Sequence, residues 1–544
     1  MSPRAPINFL KSPLPIILFF SILFFAFSSS LPSLSQALAA TYYVDATDGN
    51  DSNSGLSFLT PWKTIAKVNA SSFNAGDQIL FKRGEIWREL LLIPSSGNGT
   101  IPISFGAYGT GDSPVITGSN IVTGWALVGG TVYKKDNITT EPHVLSFNNT
   151  KLREKDGSRS VVAVNQWDWD SNTLYINAGG NPDNGKVEVG QRSYCINTNG
   201  NNYLMIRNLE LRGADQAAIL VHGNFISVQY NTINNCGSLG FHSGICLWNA
   251  SNCSIKSNNV LYTYDGIGVT GWNSAICDGN TISGNTISFV DTVGINLNNV
   301  GVTNTIVEQN QIDHAGQFYD DCAGISTYMA GSGNIIRRNK SYNGGTTSTR
   351  CAGIMIDTGS APSQIYYNIC YGNTNGGIDV TGSGHKIYNN TLYHNNEQAW
   401  DSGEINFFYS GTSNCEVINN IAIASPGKYV IRVPQGTTDG HYLDHNVYYP
   451  IYALFDWGGY STNFDGWKSK SKQEVSSLNI DPQLRDPAQG DFSLQPTSPA
   501  IKKGTYLGIT KDFFDNIVSQ EKGVTIGAIE YEGVRVPQNL RILP

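Results

Sequence analysis

Ile336-Arg337-Arg338-Asn339, Ile365-Tyr366-Tyr367-Asn368 and Ile387-Tyr388-Asn389-Asn390 repeat one phrase, a branched apolar residue followed shortly by Asn. Working outward, the same phrase ends at Asn208, Asn231, Asn258, Asn280 and Asn310 on one side, and at Asn420 and Asn446 on the other. Successive Asn residues stand 22 to 30 positions apart. A period in the twenties marks stacked repeats, each too small to bury its own apolar face.

A second column keeps step with the first: Ser243-Gly244-Ile245, Asp265-Gly266-Ile267, Val293-Gly294-Ile295, Ala323-Gly324-Ile325, Ala352-Gly353-Ile354 and Gly376-Gly377-Ile378. After each Ile the chain alternates, as in Ile378-Asp379-Val380-Thr381, the period of a strand with one buried face. The expected architecture is all-β: a right-handed parallel β-helix solenoid in which each coil pairs its strands with the next at about 4.8 Å. A buried amide left unpaired costs about 1–3 kcal/mol, so the recurrent Asn must satisfy turn backbone and its own kind. In period and in both columns the chain resembles the pectate-lyase-like superfamily of secreted right-handed β-helix proteins, whose asparagine ladder the recurrent Asn would form. The resemblance implies a fold and a carbohydrate-active setting. It does not choose an activity, because that scaffold carries lyases, hydrolases, epimerases and adhesins.

A 544-residue chain usually holds several domains, but a solenoid can use it as one elongated unit. The formal charge of −8, with no Lys/Arg run, argues against nucleic acid as a partner. Residues 1–39 read as an export signal: Arg4 and Lys11, an apolar run from Leu14 to Phe27, then the small-x-small site Ala37-Leu38-Ala39. That run is short for a bilayer span, and the expectation is a secreted or periplasmic monomer with no membrane attachment after cleavage. The nine Cys lie between Cys195 and Cys415; Cys322 and Cys351 share one offset, three before Ile325 and Ile354, and are read as stacked thiols or a bridge.

Residues 40–120 should form an N-terminal cap with a short helix near Pro61-Trp62-Lys63-Thr64-Ile65, followed by the first coils. Between 121 and 194 the pattern breaks among Trp125, Trp167, Trp169 and Tyr175, which suggests an inserted β-rich lobe. Regular coils occupy 195–450, and 451–544 should supply closing coils and a C-terminal cap.

Connection lengths point to one corner. Long connections are expected after Asn280, Asn310 and Asn339, building a wall beside the Gly-Ile strands, and loops on a rigid scaffold commonly carry sites. Those connections hold Asp291, His314, Asp320, Asp321 and Arg350. Asp291, Asp321 and Arg350 each precede the column Ile by four, so they should stack on adjacent coils, as a salt-bridge ladder or as a site. Outward positions of the neighbouring strands include Trp248, Asn296, Asn298, Tyr328, Asp357 and Asp379, which would suit sugar faces and hydroxyls.

Two acids in one site divide labour, one raised to a general acid and the other ionised. The candidate catalytic set is therefore Asp291, Asp321, Asp357, His314 and Arg350, with Trp248, Asn296, Asn298, Tyr328 and Asp379 as binding residues. Each acid has a plainer reading as a turn-capping residue, and His314 as a surface side chain. The reading put first is a polysaccharide-degrading glycoside hydrolase that needs no cofactor. The alternatives are a calcium-dependent lyase of uronate glycans, with Asp320 and Asp321 holding the metal, and a non-catalytic glycan-binding or adhesion protein.

Overall fold

The computed structural model describes residues 39–154, 163–237, 243–398 and 402–531. The expected export signal, apart from Ala39, lies outside them. The architecture is a right-handed parallel β-helix built from three sheets. A representative coil runs Ile335–Arg337, Lys340–Tyr342, Cys351–Ile356 and then Gln364–Tyr366, one level up. We call the sheets containing the first three of these strands the ladder, middle and groove sheets.

The bore is filled by like residues stacked in register. Ile245, Ile267, Ile295, Ile325, Ile354, Ile378, Ile405 and Ile431 form one continuous file in the groove sheet, all buried. β-Branched residues suit such a half-buried pleated surface. The Gly before each Ile has a steric cause: a Cβ on Gly294 would stand 2.4 Å from the Gly324 carbonyl oxygen.

The bend from ladder to middle sheet carries the asparagine ladder. Asn310 donates its backbone N–H and its Nδ2 to Asn339 Oδ1, both at 3.0 Å, and its Nδ2 also reaches the Ile282 carbonyl at 2.9 Å. Asn339 repeats the pattern toward Asn368, and the series ends where Asn446 donates to Ser477 Oγ and Glu474 Oε2.

Two members of the expected column are not in this ladder. Asn208 is the left-handed residue before the slot, and Leu209 occupies the slot, donating its N–H to Asn231 Oδ1. Asn280 satisfies the opposite bend, accepting from Cys253 N, and the ladder passes from Asn258 through Asn285 to Asn310. The sequence Asn280-Thr281-Ile282-Ser283-Gly284-Asn285 offers two candidates, and strand register selects the second.

The N-terminal cap is a strand, Thr41–Val44, and a short helix, Ile65–Asn69, which buries Ile65 and Val68 over the end of the bore. Thr64 caps that helix by accepting from Lys67 N. The inserted lobe consists of two sheets, antiparallel except for one parallel edge pair, running from Ser119–Val122 to Val187–Gly190, with a core of its own around Trp125, Trp167 and Leu174.

The end of the chain departs from the expected closing coils. Helix Phe464–Ser471 buries Trp467 against Phe455, and after Leu478–Asn479 the chain leaves the solenoid. It then runs back along the outside of the coils: Leu484, Phe492 and Ile526 pack on Ile369, Ile421 and Val447, and Asp515 pairs with Arg338. Apolar residues that point outward from the strands, such as Ile421 and Val447, are buried under this return segment. All nine cysteines are buried free thiols, with Cys322 and Cys351 register partners on adjacent coils. Among the described residues no helix is long and apolar enough to cross a membrane.

Candidate functional site

Moving the ladder from Asn280 to Asn285 changes the account of the connections. Only ten residues separate Asn285 from Ile295, whereas fifteen separate Asn310 from Ile325 and Asn339 from Ile354. Two long connections are therefore adjacent at the bend into the groove sheet, not three. The extra length of the earlier coil lies at the other corner, around Trp272–Ser274.

The two long connections are strapped together. Arg350 donates its backbone N–H to Asp320 Oδ1 at 2.6 Å, and its Nε and Nη2 to Oδ2 at 3.2 and 3.0 Å. Thr349 Oγ1 donates to the Gly316 carbonyl at 2.7 Å. The expected stack had Arg350 against Asp321; its partner is Asp320. Asp321, next in the chain, takes a left-handed conformation with φ of 61°, which a non-glycine residue adopts at some cost and Asp tolerates better than most.

Beside the strap lies a cleft of ≈ 390 Å³. One side presents Asp320, Asp321 and Arg350; its floor carries Met355 and Asp357 from one coil and Asp379 and Thr381 from the next; Phe408 and Tyr409 close the far side. The floor follows from register, since Met355 faces Asp379 and Ile356 faces Val380, so Asp357 is one step from Thr381.

The carboxyl groups are in different states. Burial pushes Asp321 up, and the charges of Asp357 and Asp320 push it further, against a smaller opposing effect of Arg350. Burial alone would raise Asp320 as well, but the hydrogen bonds and charge of Arg350 override it and hold that carboxyl below its usual range. Asp379 is buried and accepts from Asn375 Nδ2 at 2.8 Å. The neighbouring Gly376 is what makes room for it, because a Cβ there would stand 2.1 Å from Asp379 Oδ1. Asp357 accepts from the Thr358 N–H at 2.6 Å.

The structure thus brings together Asp320, Asp321, Arg350, Asp357 and Asp379. It does not bring Asp291 or His314 to them. Asp291, on the short connection, pairs with Lys151 of the inserted lobe at 2.7 Å. There burial raises its carboxyl, opposed by Lys151. His314 sits at the bend after the middle sheet, bonded to Asp313 at 2.6 Å and stacked on Phe289 at 4.8 Å.

Tyr328, Asn298, Asn296 and Trp248 share the groove-sheet face, one to four coils before Asp357, but none lines the cleft. Asn298 is buried, Asn296 donates to Asp265 Oδ2 at 3.4 Å, and Trp248 stacks on Trp272 at 5.6 Å. Sequence reasoning missed Asn375, Phe408 and Tyr409. The last two follow Gly403-Glu404-Ile405, where Glu stands in the column of Gly and hides the coil; aligning on Ile405 alone would have found them. For a metal, Asp320 is already occupied by Arg350, and among the described residues no three His, Cys, Asp or Glu are grouped so as to hold an ion.

Comparison with known proteins agrees with this architecture. Residues 172–341 match the model of the right handed beta helix region. Over 87 residues the chain is 38% identical to a lacto-N-biosidase of Bifidobacterium longum, a match covering 15% of this chain and 5% of that protein. Over 145 residues it is 28% identical to protein YwoF of Bacillus subtilis, covering 25% and 31% respectively. These matches therefore span under a third of either relative. The solved complex of XylC with xylose superposes with a TM-score of 0.56 at 15% identity, over 90% of this chain and 98% of that one. The chain thus has the right-handed parallel β-helix fold, with residues 172–341 matching that region's family model.

Proposed function

We propose that this protein is an exported glycoside hydrolase that cleaves a polysaccharide at the cleft beside Asp321. The observation that carries the reading is the pairing of a raised carboxyl, Asp321, with Asp357 in one walled cleft. Asp321 keeps its proton and gives it to the glycosidic oxygen as the bond to the anomeric carbon breaks. Asp357 is the second carboxyl group of the pair, which either takes the proton of the attacking water or bonds the anomeric carbon itself; the separation of two such groups distinguishes these courses. Asp379, held by Asn375, accepts from sugar hydroxyls, and Tyr409 and Phe408 offer ring faces. The strap between Arg350 and Asp320 positions Asp321 without touching the reacting atoms. Asn296, Tyr328 and Trp248 extend the sugar-binding face along the groove sheet, with the buried Asn298 supporting it from beneath.

β-Elimination fits this cleft less well. It needs a cation on the uronate carboxylate, and the guanidinium lining the cleft is engaged by Asp320. A calcium ion at Asp320 and Asp321 would have to displace that same pair. A purely binding role gives no reason to place a raised carboxyl beside another in one walled cleft. The local likeness to a lacto-N-biosidase is in keeping with carbohydrate chemistry.

The test is incubation with a glycan panel, with and without chelator. New reducing ends without the ultraviolet absorbance of an unsaturated uronate are expected, unaffected by chelator. Appearance of that absorbance would replace hydrolase by lyase, and glycan binding without cleavage would leave a lectin-like protein.

A further inference from the structure

The charge around the cleft selects among glycans. Four Asp side chains line it, Asp320, Asp321, Asp357 and Asp379, against one guanidinium, Arg350. That guanidinium is turned to Asp320 through both Nε and Nη2. Along the same sheet face the next cation is Arg432, whose Nε lies 3.3 Å from Asp456. On the wall side, Lys151 is matched to Asp291, and Arg153 lies 3.4 Å over the Phe318 ring. Each of these cations near the groove is thus matched to a carboxylate or laid over an aromatic ring.

Uncharged residues, Ser326, Met355 and Thr381, flank the acids at the cleft, and Tyr328 and Tyr409 are 43% and 70% exposed. A sugar that carries its own carboxylate or sulfate would place a like charge within a few ångströms of Asp357 and Asp379, in a recess where water screens poorly. A sugar without charge loses nothing there and gains the aromatic faces.

We infer that the cleft takes uncharged glycans and rejects uronate-containing or sulfated ones, the acid cluster serving as a selectivity device as well as a source of chemistry. This rests on the proposed carbohydrate reading of the same cleft. It extends that reading to the substrate class, against the expectation of a uronate that the lyase alternative would bring.

The experiment measures binding by calorimetry on the mature chain carrying Asp321→Asn, so that affinity is read apart from turnover. The probes are hexamers of β-1,4-xylose and of β-1,4-N-acetylglucosamine against hexamers of galacturonate and of mannuronate, at low and at high salt. The expected result is a neutral hexamer bound about 100-fold or more tighter than either uronate at low salt, with the gap narrowing as salt screens the repulsion. Asp320→Asn, introduced on the same background and checked for folding by circular dichroism, should release Arg350 and raise uronate affinity about 10-fold. Uronates bound as tightly as neutral hexamers, or a gap insensitive to salt, would overturn the inference, as would failure of every hexamer to bind.

The two readings fail separately. Neutral hexamers bound by the variant but left intact by wild type remove the hydrolase and keep the selectivity. Uronate hexamers hydrolysed by wild type remove the selectivity and keep the hydrolase.

Discussion

At the bend between the ladder and middle sheets, Asn310, Asn339 and Asn368 each donate backbone N–H and Nδ2 to the Asn of the next coil and donate Nδ2 also to a carbonyl of the coil before, at 2.8–3.0 Å. At the bend one strand later, the coils at the same height carry Asp320, Asp321 and Arg350 on connections of uneven length, beside an open cleft. The first bend repeats because identical residues can only satisfy each other when the spacing is uniform. The second is free to vary because its polar groups meet solvent or one another locally. In a solenoid the repeat stores stability at one corner and leaves chemistry to another.

The largest effect that would break this comparison is on turnover. Asp321→Asn removes the proposed acid while keeping its shape, and should lower turnover of the cleaved glycan by about 10³-fold, within the range for a lost general acid. Its unfolding free energy, measured in urea, should stay within about 0.5 kcal/mol of wild type. Wild-type rates from this variant would remove the residue on which the mechanism turns.

Asn339→Ala is the converse. It strips the acceptor from Asn310 N and Nδ2 and the donors to Val307 O and Asn368 Oδ1, all buried. A loss of about 3 kcal/mol is expected in equilibrium unfolding, with catalysis of the folded fraction unchanged. A cost near that of an exposed substitution would show that the ladder does not hold the coils.

A third test uses the short ladder on the site side, where Asn373 donates to Asn395 and Asn395 to Glu404, the residue standing in the column of Gly. Burial pushes Glu404 up to about 8, with the Asn395 hydrogen bonds pulling the other way. The folded value lies above the ordinary one of about 4.3, so the fold holds the proton that the unfolded chain releases. The stabilising contribution is complete below about pH 4.3 and is lost as pH rises toward about 8. Wild type should therefore lose on the order of 5 kcal/mol more than Glu404→Gln across that window, read as the difference between their unfolding free energies at several pH values. Parallel pH profiles would place Glu404 in its ionised form.

The smallest effect sharpens the contrast between two acids with the same offset from the column Ile. Asp291→Asn should cost about 1 kcal/mol through the lost pairing with Lys151 and leave turnover within about threefold of wild type. A collapse of activity matching that of Asp321→Asn would restore Asp291 to the site.

Asp291 also shows where reading the chain reached its limit. The repeat, the sheet face and the stacking of Met355 with Asp379 were legible, because alternation and period follow directly from backbone geometry. The ladder slot of one coil was not, since Asn280 and Asn285 both fit the phrase, and choosing the first lengthened a connection that is short. That single shift put Asp291 in the expected stack. Phe408 and Tyr409 were hidden by the same device in reverse, a coil whose Glu404 breaks the column. The return of the C-terminal segment over the outer faces was equally invisible, because nothing local in Leu484 or Phe492 states which strand they cover.

By itself the sequence determined that this chain winds into coils, which residues face the bore, and that acids gather near one corner. Periodic burial and the cost of an unpaired amide leave few other solutions. Tertiary structure alone decided that Asp320 takes Arg350, that Asp321 is left beside Asp357, and that Asp291 belongs to the lobe. Those outcomes depend on side chains distant in sequence competing for the same partner, and that competition is settled only when the coils are in place.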